Sequence, residues 1–352
     1  MQPKWIHVLV ISMFLYSSLL YVIFRRVKYL MNGNTQTNKF KNILCDLSRI
    51  GEWWLLSIGL IFFAFIPHIH RINNSITLEN LTDLFTSSPL YLALIVVFAT
   101  QIFLFASNDY FDRHMDSLDK KKRLRNPICN GRVTAKEVWA LLIATAIISL
   151  VVSLFFSVFT FLFTAFALFV FYFYTAEPLR FKNKIGVDVL SHGIFINTFP
   201  YFFCLVALWD FSSGSVFLLA VLMMRSAIAQ LLQEIRDYEV DKKVERNTVV
   251  ALGQRKTVWI VFTIYLAIFF STLILLVTYQ LFNIGISMFY LVILFLCITY
   301  IPTFFKLLTT AADNSELIEG LWMGQGRTNR WMGVRYAGSF SLYFCIIFLL
   351  LI

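Results

Sequence analysis

Charge is scarce in this chain. Asp, Glu, Lys and Arg together make up 14% of its 352 residues, whereas 59% are hydrophobic. With a mean hydropathy of +0.73 and 38 Phe, this composition excludes an ordinary soluble domain. Cysteine is sparse as well. Cys45, Cys129, Cys204, Cys297 and Cys345 form no close pair and no zinc-ligand spacing, so they support neither a disulfide framework nor a thiolate metal site. No long Gly/Ser linker or low-complexity tract marks off a second, soluble domain.

What abounds is apolar sequence of membrane-spanning length. Stretches near residues 5–24, 53–70, 89–107, 137–157, 159–176, 187–209, 214–234, 257–281, 284–305 and 336–352 each approach the roughly 20 residues that cross a bilayer. They predict an all-α fold, a polytopic membrane helical bundle of nine core transmembrane helices plus an extra N-terminal helix. The first stretch lacks a small-residue cleavage site and is followed by Arg25 and Arg26, so it reads as a retained helix rather than a signal peptide. Residues 1–48 then form an N-terminal membrane anchor with its cytoplasmic connection, and residues 49–352 the main membrane domain.

The formal net charge of +10 does not call for a nucleic-acid partner. All but Lys4, Arg71 and Arg225 of the 30 Lys and Arg fall in alternate connections, residues 25–52, 108–136, 177–186, 235–256 and 306–335. The positive-inside bias accounts for that alternation and makes those connections cytoplasmic. The expected setting is an integral multi-pass protein of the cell membrane. The connection 71–88, nearly free of basic residues, reads as a short polar outer loop.

Against this apolar background two acidic clusters stand out, Asn108-Asp109-x-x-Asp112-x-x-x-Asp116 and Glu234-x-x-Asp237-x-x-x-Asp241, each at the end of an apolar span. In both the acids recur at i, i+3 and i+7, a spacing that lines one face of a helix. Carboxylates are hard oxygen ligands, and Mg²⁺ typically takes one or two of them while phosphate oxygens and water complete its octahedron. Two opposing acidic faces at a cytoplasmic membrane edge therefore suit a Mg²⁺–diphosphate group and the departure of diphosphate from carbon. A solvated, interfacial helix face is the plain alternative for either cluster alone; two clusters with the same spacing and sidedness outweigh it.

The clusters also head a weak internal repeat. Each runs through a basic stretch into an Asn, a Gly and a Thr before the next apolar helix: Asn126, Gly131 and Thr134 in the first copy, Asn247, Gly253 and Thr257 in the second. Thr134-Ala-Lys-Glu137 has the form of a capping box and predicts a helix beginning near Ala135. His114 lies off the face shared by Asp112 and Asp116 and reads as an outward side chain.

The first cluster, continuing through Asn126-Pro127-Ile-Cys-Asn-Gly131-Arg132, resembles the NDxxDxxxD motif and following loop of the UbiA superfamily of intramembrane prenyltransferases. The second, through Asn247-Thr248 and Leu252-Gly253, resembles that family's DxxxD motif. Tyr174-Thr-Ala-Glu-Pro178-Leu-Arg180-Phe-Lys182 is similar to its central Pro-x-Arg-x-Lys loop. Val240 stands where related sequences often carry Gly, and Ile50 where Pro commonly follows the early Arg.

The resemblance covers roughly residues 49–352 and implies a prenyl diphosphate held through Mg²⁺ by Asn108, Asp109, Asp112 and Asp116 with Asp237 and Asp241. It implies loss of diphosphate and capture of the allylic cation by a lipophilic acceptor. Lys182, Arg180 and Arg49 can bind diphosphate oxygens directly or serve as basic surface anchors. Tyr174 can touch the diphosphate at a cavity rim or act as an interfacial aromatic. Glu234 can aid metal hydration or pair with Arg236 or Lys242. Arg225, charged inside an apolar span, marks either a wet cavity or a buried ion pair. Competing readings are phosphoribosyl transfer to a polyprenyl phosphate, terpene cyclisation on the same scaffold, and divalent-cation transport. Acids gathered at one membrane edge, rather than spread along spans, count against a conduction path. Donor chain length, acceptor and oligomeric state leave no trace in the sequence.

Overall fold

A computed structural model describes residues 42–73, 78–118, 120–243 and 245–280. The spans expected at 5–24, 284–305 and 336–352 lie outside the described residues. Among the described residues every regular element is helical. The longer helices are α1 (Ile50–Asn73), α3 (Ser88–Phe111), α6 (Ala135–Ser153), α7 (Val158–Thr175), α9 (Phe199–Leu208), α10 (Ser213–Asp241) and α12 (Gln254–Gln280). Shorter ones lie between them: α2 (Leu78–Thr86), α4 (Arg113–Asp116), α5 (Lys120–Arg125), α8 (Val187–Ser191) and α11 (Thr248–Leu252). Among the described residues, five segments are long and apolar enough to cross a membrane, Leu56–Asn73, Ser88–Phe111, Ala135–Ser153, Val158–Thr175 and Ser213–Ile235.

Val187–Ile196 and Phe199–Leu208 are long and apolar enough only when taken together, and they meet at a 56° bend. Pro200 follows directly on the break, in the first turn of α9, where its missing N–H costs nothing. Carbonyls freed by a break at membrane depth need donors. The Thr198 hydroxyl donates to the Gly193 carbonyl at 2.9 Å, and the buried Gln101 amide of α3 donates to the Ile196 carbonyl at 3.3 Å. A polar side chain in an apolar helix is thereby explained by a defect in its neighbour.

The described chain divides at Met223–Met224 into two compact units. In the first, α3 packs along α6, α1 along α9, and α7 lies against α3, α6 and α9. Phe163 and Phe171 of α7 meet Phe202 and Phe199 with ring centroids 4.7 and 5.4 Å apart. Ile143, Ile147, Val151, Phe159 and Leu162 of α6 and α7 are exposed, the surface a bilayer would cover. In the second unit α11 packs on α12, and the Gln254 amide at the start of α12 donates to the Ile235 carbonyl of α10 at 3.1 Å.

Helix starts follow local chemistry. Thr134 and Glu137 form the expected capping box, with Thr134 N–H donating to Glu137 Oε2 at 2.9 Å and Glu137 N–H to Thr134 Oγ1 at 3.4 Å, and α6 begins at Ala135. Ser157 caps α7 by accepting from Thr160 N–H at 3.0 Å. The connection 71–88 is more than a polar loop, because it contains α2, whose Leu84 is buried and whose Phe85 meets Phe62 at 5.5 Å.

At the end of α1 remote from Arg49, Asp210 accepts from Arg71 and lies 3.1 Å from His68 Nδ1. The Arg71 guanidinium also donates to Ser212 Oγ at 2.9 Å. Arg71, one of the three basic residues outside the alternating charge pattern, is thus ion-paired, as charge near a membrane requires.

Candidate functional site

The first acidic cluster sits where α3 gives way to α4. Asp112 N–H donates to the Asn108 carbonyl at 3.0 Å and Asp116 N–H to the Asp112 carbonyl at 2.8 Å, so the helical path carries through the junction and keeps the i, i+3, i+7 acids together. Asp109, Asp112 and Asp116 are all buried, Asn108 is half-buried, and His114 is exposed, as its position off the acidic face requires.

Each carboxylate is held differently. Asp109 pairs with Arg49, 60 residues away in sequence. Asp112 accepts from Lys182 Nζ at 2.6 Å and has Arg180 at 3.6 Å. Asp116 accepts from the Asn126 amide at 2.9 Å. The three basic side chains singled out in the sequence are therefore brought onto the first cluster. Arg49 and Arg180 also share a backbone trait: their φ values of 49° and 35° are left-handed, and among the described residues only Trp209 joins them as a positive-φ residue other than glycine. That conformation costs an L-residue roughly 1–2 kcal/mol, and such strain concentrates at functional positions.

Tyr174, at the end of α7, is buried with its ring 6.4 Å from that of His192. Cys129 donates its thiol to the Arg113 carbonyl at 3.1 Å. Burial first, then the Asp116 and Asp109 carboxylates, push that thiol above its usual range, which removes it as a thiolate ligand or nucleophile.

In the second cluster, Asp241 accepts from the Asn247 amide at 3.1 Å. Asp237 is half-buried on the same helix. Glu234 is buried rather than interfacial, and its carboxylate accepts from Gln230 Nε2 at 2.6 Å and from Val249 N–H at 3.3 Å. Lys242, one of its expected partners, pairs with Glu239 at 2.5 Å; the side chain of the other, Arg236, lies outside the described ones. Arg225 is buried within α10.

Among the described residues no three His, Cys, Asp or Glu side chains converge closely enough to cage a metal ion unaided. Mg²⁺ commonly takes one or two carboxylates and keeps water and substrate oxygens in the rest of its shell. The donors are of the right kind, and Asp109 Oδ2 is buried without a hydrogen-bond partner among the described residues, an oxygen whose desolvation a cation would offset. The residues present fit the group. Thr175 Oγ1 and Asn183 Oδ1, flanking the segment that carries Arg180 and Lys182, are likewise buried and unpartnered among the described residues. Nothing in their sequence context singled them out.

The internal repeat has a structural counterpart. Asn126 and Asn247 each donate to the last Asp of their cluster, and Gly131 and Gly253 both adopt left-handed φ values, 76° and 81°. The Thr positions diverge: Thr134 caps α6, whereas Thr257 lies inside α12 and donates to the Gly253 carbonyl at 2.9 Å.

The model of the UbiA prenyltransferase family matches residues 80–319. No curated protein matches the chain. Among solved structures, a UbiA homolog from Archaeoglobus fulgidus bound to GPP and Mg²⁺ is 16% identical, with a TM-score of 0.57 over 87% of this chain and 99% of that one. A digeranylgeranylglyceryl phosphate synthase is 18% identical, with a TM-score of 0.59 over 88% of this chain and 98% of that one. A UbiA homolog from Aeropyrum pernix K1 is 16% identical, with a TM-score of 0.51 over 83% and 94%. At these identities the likeness is one of fold.

Proposed function

The chain belongs to the UbiA prenyltransferase family, and we propose that it transfers an isoprenyl group from a prenyl diphosphate to a lipophilic acceptor within the membrane. The observation that carries this reading is the pairing of Asp112 with Lys182 and Arg180 beside the Arg49–Asp109 pair. Carboxylates interleaved with cations are what a group combining metal and diphosphate requires; a cation-conducting path has no use for the cations. Prenyl diphosphates are also what two of the similar Archaeoglobus fulgidus structures hold, GPP in one and DMAPP in the other.

Asn108, Asp109, Asp112 and Asp116, together with Asp237 and Asp241, would hold Mg²⁺. When bound, the ion offsets the negative charge that builds on diphosphate as its bond to carbon breaks. Lys182, Arg180 and Arg49 exchange their carboxylate partners for diphosphate oxygens when the donor arrives, and hold it by charged donors. The C1–O bond breaks with both electrons leaving on diphosphate. A nucleophilic carbon or oxygen of the acceptor bonds to the allylic cation and releases a proton. Tyr174 and Arg225 complete the substrate-binding set, and Glu234 orients the second cluster through its bonds to Gln230 and Val249. The positive-inside bias of the basic connections supports the cytoplasmic face of the cell membrane as the setting for this chemistry.

The test is incubation of purified protein with labelled prenyl diphosphates of several lengths, a membrane-lipid extract and Mg²⁺. Metal-dependent diphosphate release with a prenylated lipid product is expected. Silence across a broad acceptor panel, with Mg²⁺ or Ca²⁺ flux in proteoliposomes instead, would replace enzyme by transporter.

A further inference from the structure

We infer that Asn126 and Asn247 are equivalent positioning residues, one for each acidic cluster, which orient Asp116 and Asp241 for the metal. The inference rests on the Mg²⁺–diphosphate reading and goes beyond it by assigning roles outside both acidic motifs. Asn126 is fully buried, and its amide nitrogen donates to the Asp109 carbonyl at 2.8 Å and to Asp116 Oδ2 at 2.9 Å. Its Oδ1 accepts from Ile128 N–H at 3.0 Å. A backbone N–H can only donate, so the atom facing Ile128 is the oxygen and the NH₂ group must face the two acceptors. Asn247 repeats the arrangement: it is buried, its nitrogen donates to Asp241 Oδ2 at 3.1 Å, and its Oδ1 accepts from Val250 N–H at 2.9 Å.

The type of donor matters. Arg49 and Lys182 place positive charge on Asp109 and Asp112, whereas an amide fixes a carboxylate's plane without neutralising it. Asp116 and Asp241 each accept an amide N–H at Oδ2. Ligating carboxylates are commonly steadied by such outer partners, whose loss weakens metal binding about 10- to 100-fold. Recurrence in both halves of the internal repeat of the bond from the Asn amide to the terminal Asp, with the Asn oxygen fixed by a backbone N–H, argues that it serves what the halves share, their terminal acids.

Asn126→Ser and Asn247→Ser separate positioning from turn formation. The shorter Ser hydroxyl can still accept from the backbone N–H two or three residues on but cannot reach the carboxylate. Each variant is expected to fold with a lowered Tm, because buried acceptors lose a donor, to need about 10- to 100-fold more Mg²⁺ for half-maximal turnover, and to bind Mn²⁺ correspondingly more weakly by electron paramagnetic resonance. Turnover at saturating Mg²⁺ should largely recover. If both variants keep the wild-type metal requirement and Mn²⁺ affinity, the asparagines only shape turns and the inference is overturned. Should one fail to fold, the other decides. A wild-type protein that binds no Mn²⁺ and turns over without divalent metal overturns the Mg²⁺ reading itself, a separate result read before any variant is made.

Discussion

Lys182 Nζ lies 2.6 Å from Asp112 Oδ1 across 70 residues of sequence, and this contact joins the loop after α7 to the acidic end of α3. It assigns the loop a partner before any substrate is present.

Replacing Lys182 with Ala removes a charged donor from the diphosphate while leaving Arg180 beside Asp112. A charged hydrogen bond is worth about 1.5–3 kcal/mol, so kcat/KM for the prenyl diphosphate should fall about 10- to 100-fold. Steady-state kinetics with varied donor measure this; an unchanged kcat/KM would reduce Lys182 to a surface anchor.

Asp112→Ala and Asp237→Ala should each abolish turnover while circular dichroism still reports a helical, folded protein. Chelation with EDTA should arrest the wild type, and added Mg²⁺ should restore it. Normal activity in both variants would refute the proposal that both clusters serve one reaction.

Asp210→Asn acts at the other end of α1. It strands the Arg71 charge, and because Arg71 is 30% exposed the cost should be about 2 kcal/mol, below that of a fully buried pair. Thermal unfolding in detergent should show the loss, while kcat of the folded fraction stays at the wild-type value.

Gln101→Leu leaves the Ile196 carbonyl without its buried donor at the break before α9. An unsatisfied buried group costs about 1–3 kcal/mol, so the more hydrophobic variant should be the less stable one. An unchanged Tm would show that the break finds another donor.

Thr134→Ala removes a cap at an exposed position and should cost about 1 kcal/mol of stability. The metal requirement should not move, which makes it the control for the asparagine variants.

Hydropathy located five spans among the described residues, near 53–70, 89–107, 137–157, 159–176 and 214–234, to within a few residues, because ~20 apolar residues in a row have few alternatives. It read 187–209 as one span, since a bend whose carbonyls are satisfied by Thr198 and by Gln101 from another helix changes no local composition. The acids were legible for a similar reason: i, i+3, i+7 is a property of one helix. Arg49 with Asp109 and Lys182 with Asp112 are tertiary relations that no short window encodes. Asn126 and Asn247 drew notice as repeated letters, yet their bonds to Asp116 and Asp241 emerge only from the folded connections. Glu234, buried on α10, accepts from the Gln230 amide and the Val249 N–H, while Lys242 pairs with Glu239; a side-chain amide and a backbone donor 15 residues on carry no charge pattern that a sequence window could show.

The left-handed backbones of Arg49 and Arg180 imply a conflict that a selection experiment would expose. Glycine occupies that region freely, and Lys182 would still neutralise Asp112 if Arg180 were lost. A library screened only for heat resistance should therefore enrich glycine at position 180, and the survivors should be the ones that hold diphosphate least well. Position 49 should resist the same drift, because there the arginine is the ion-pair partner of a buried aspartate.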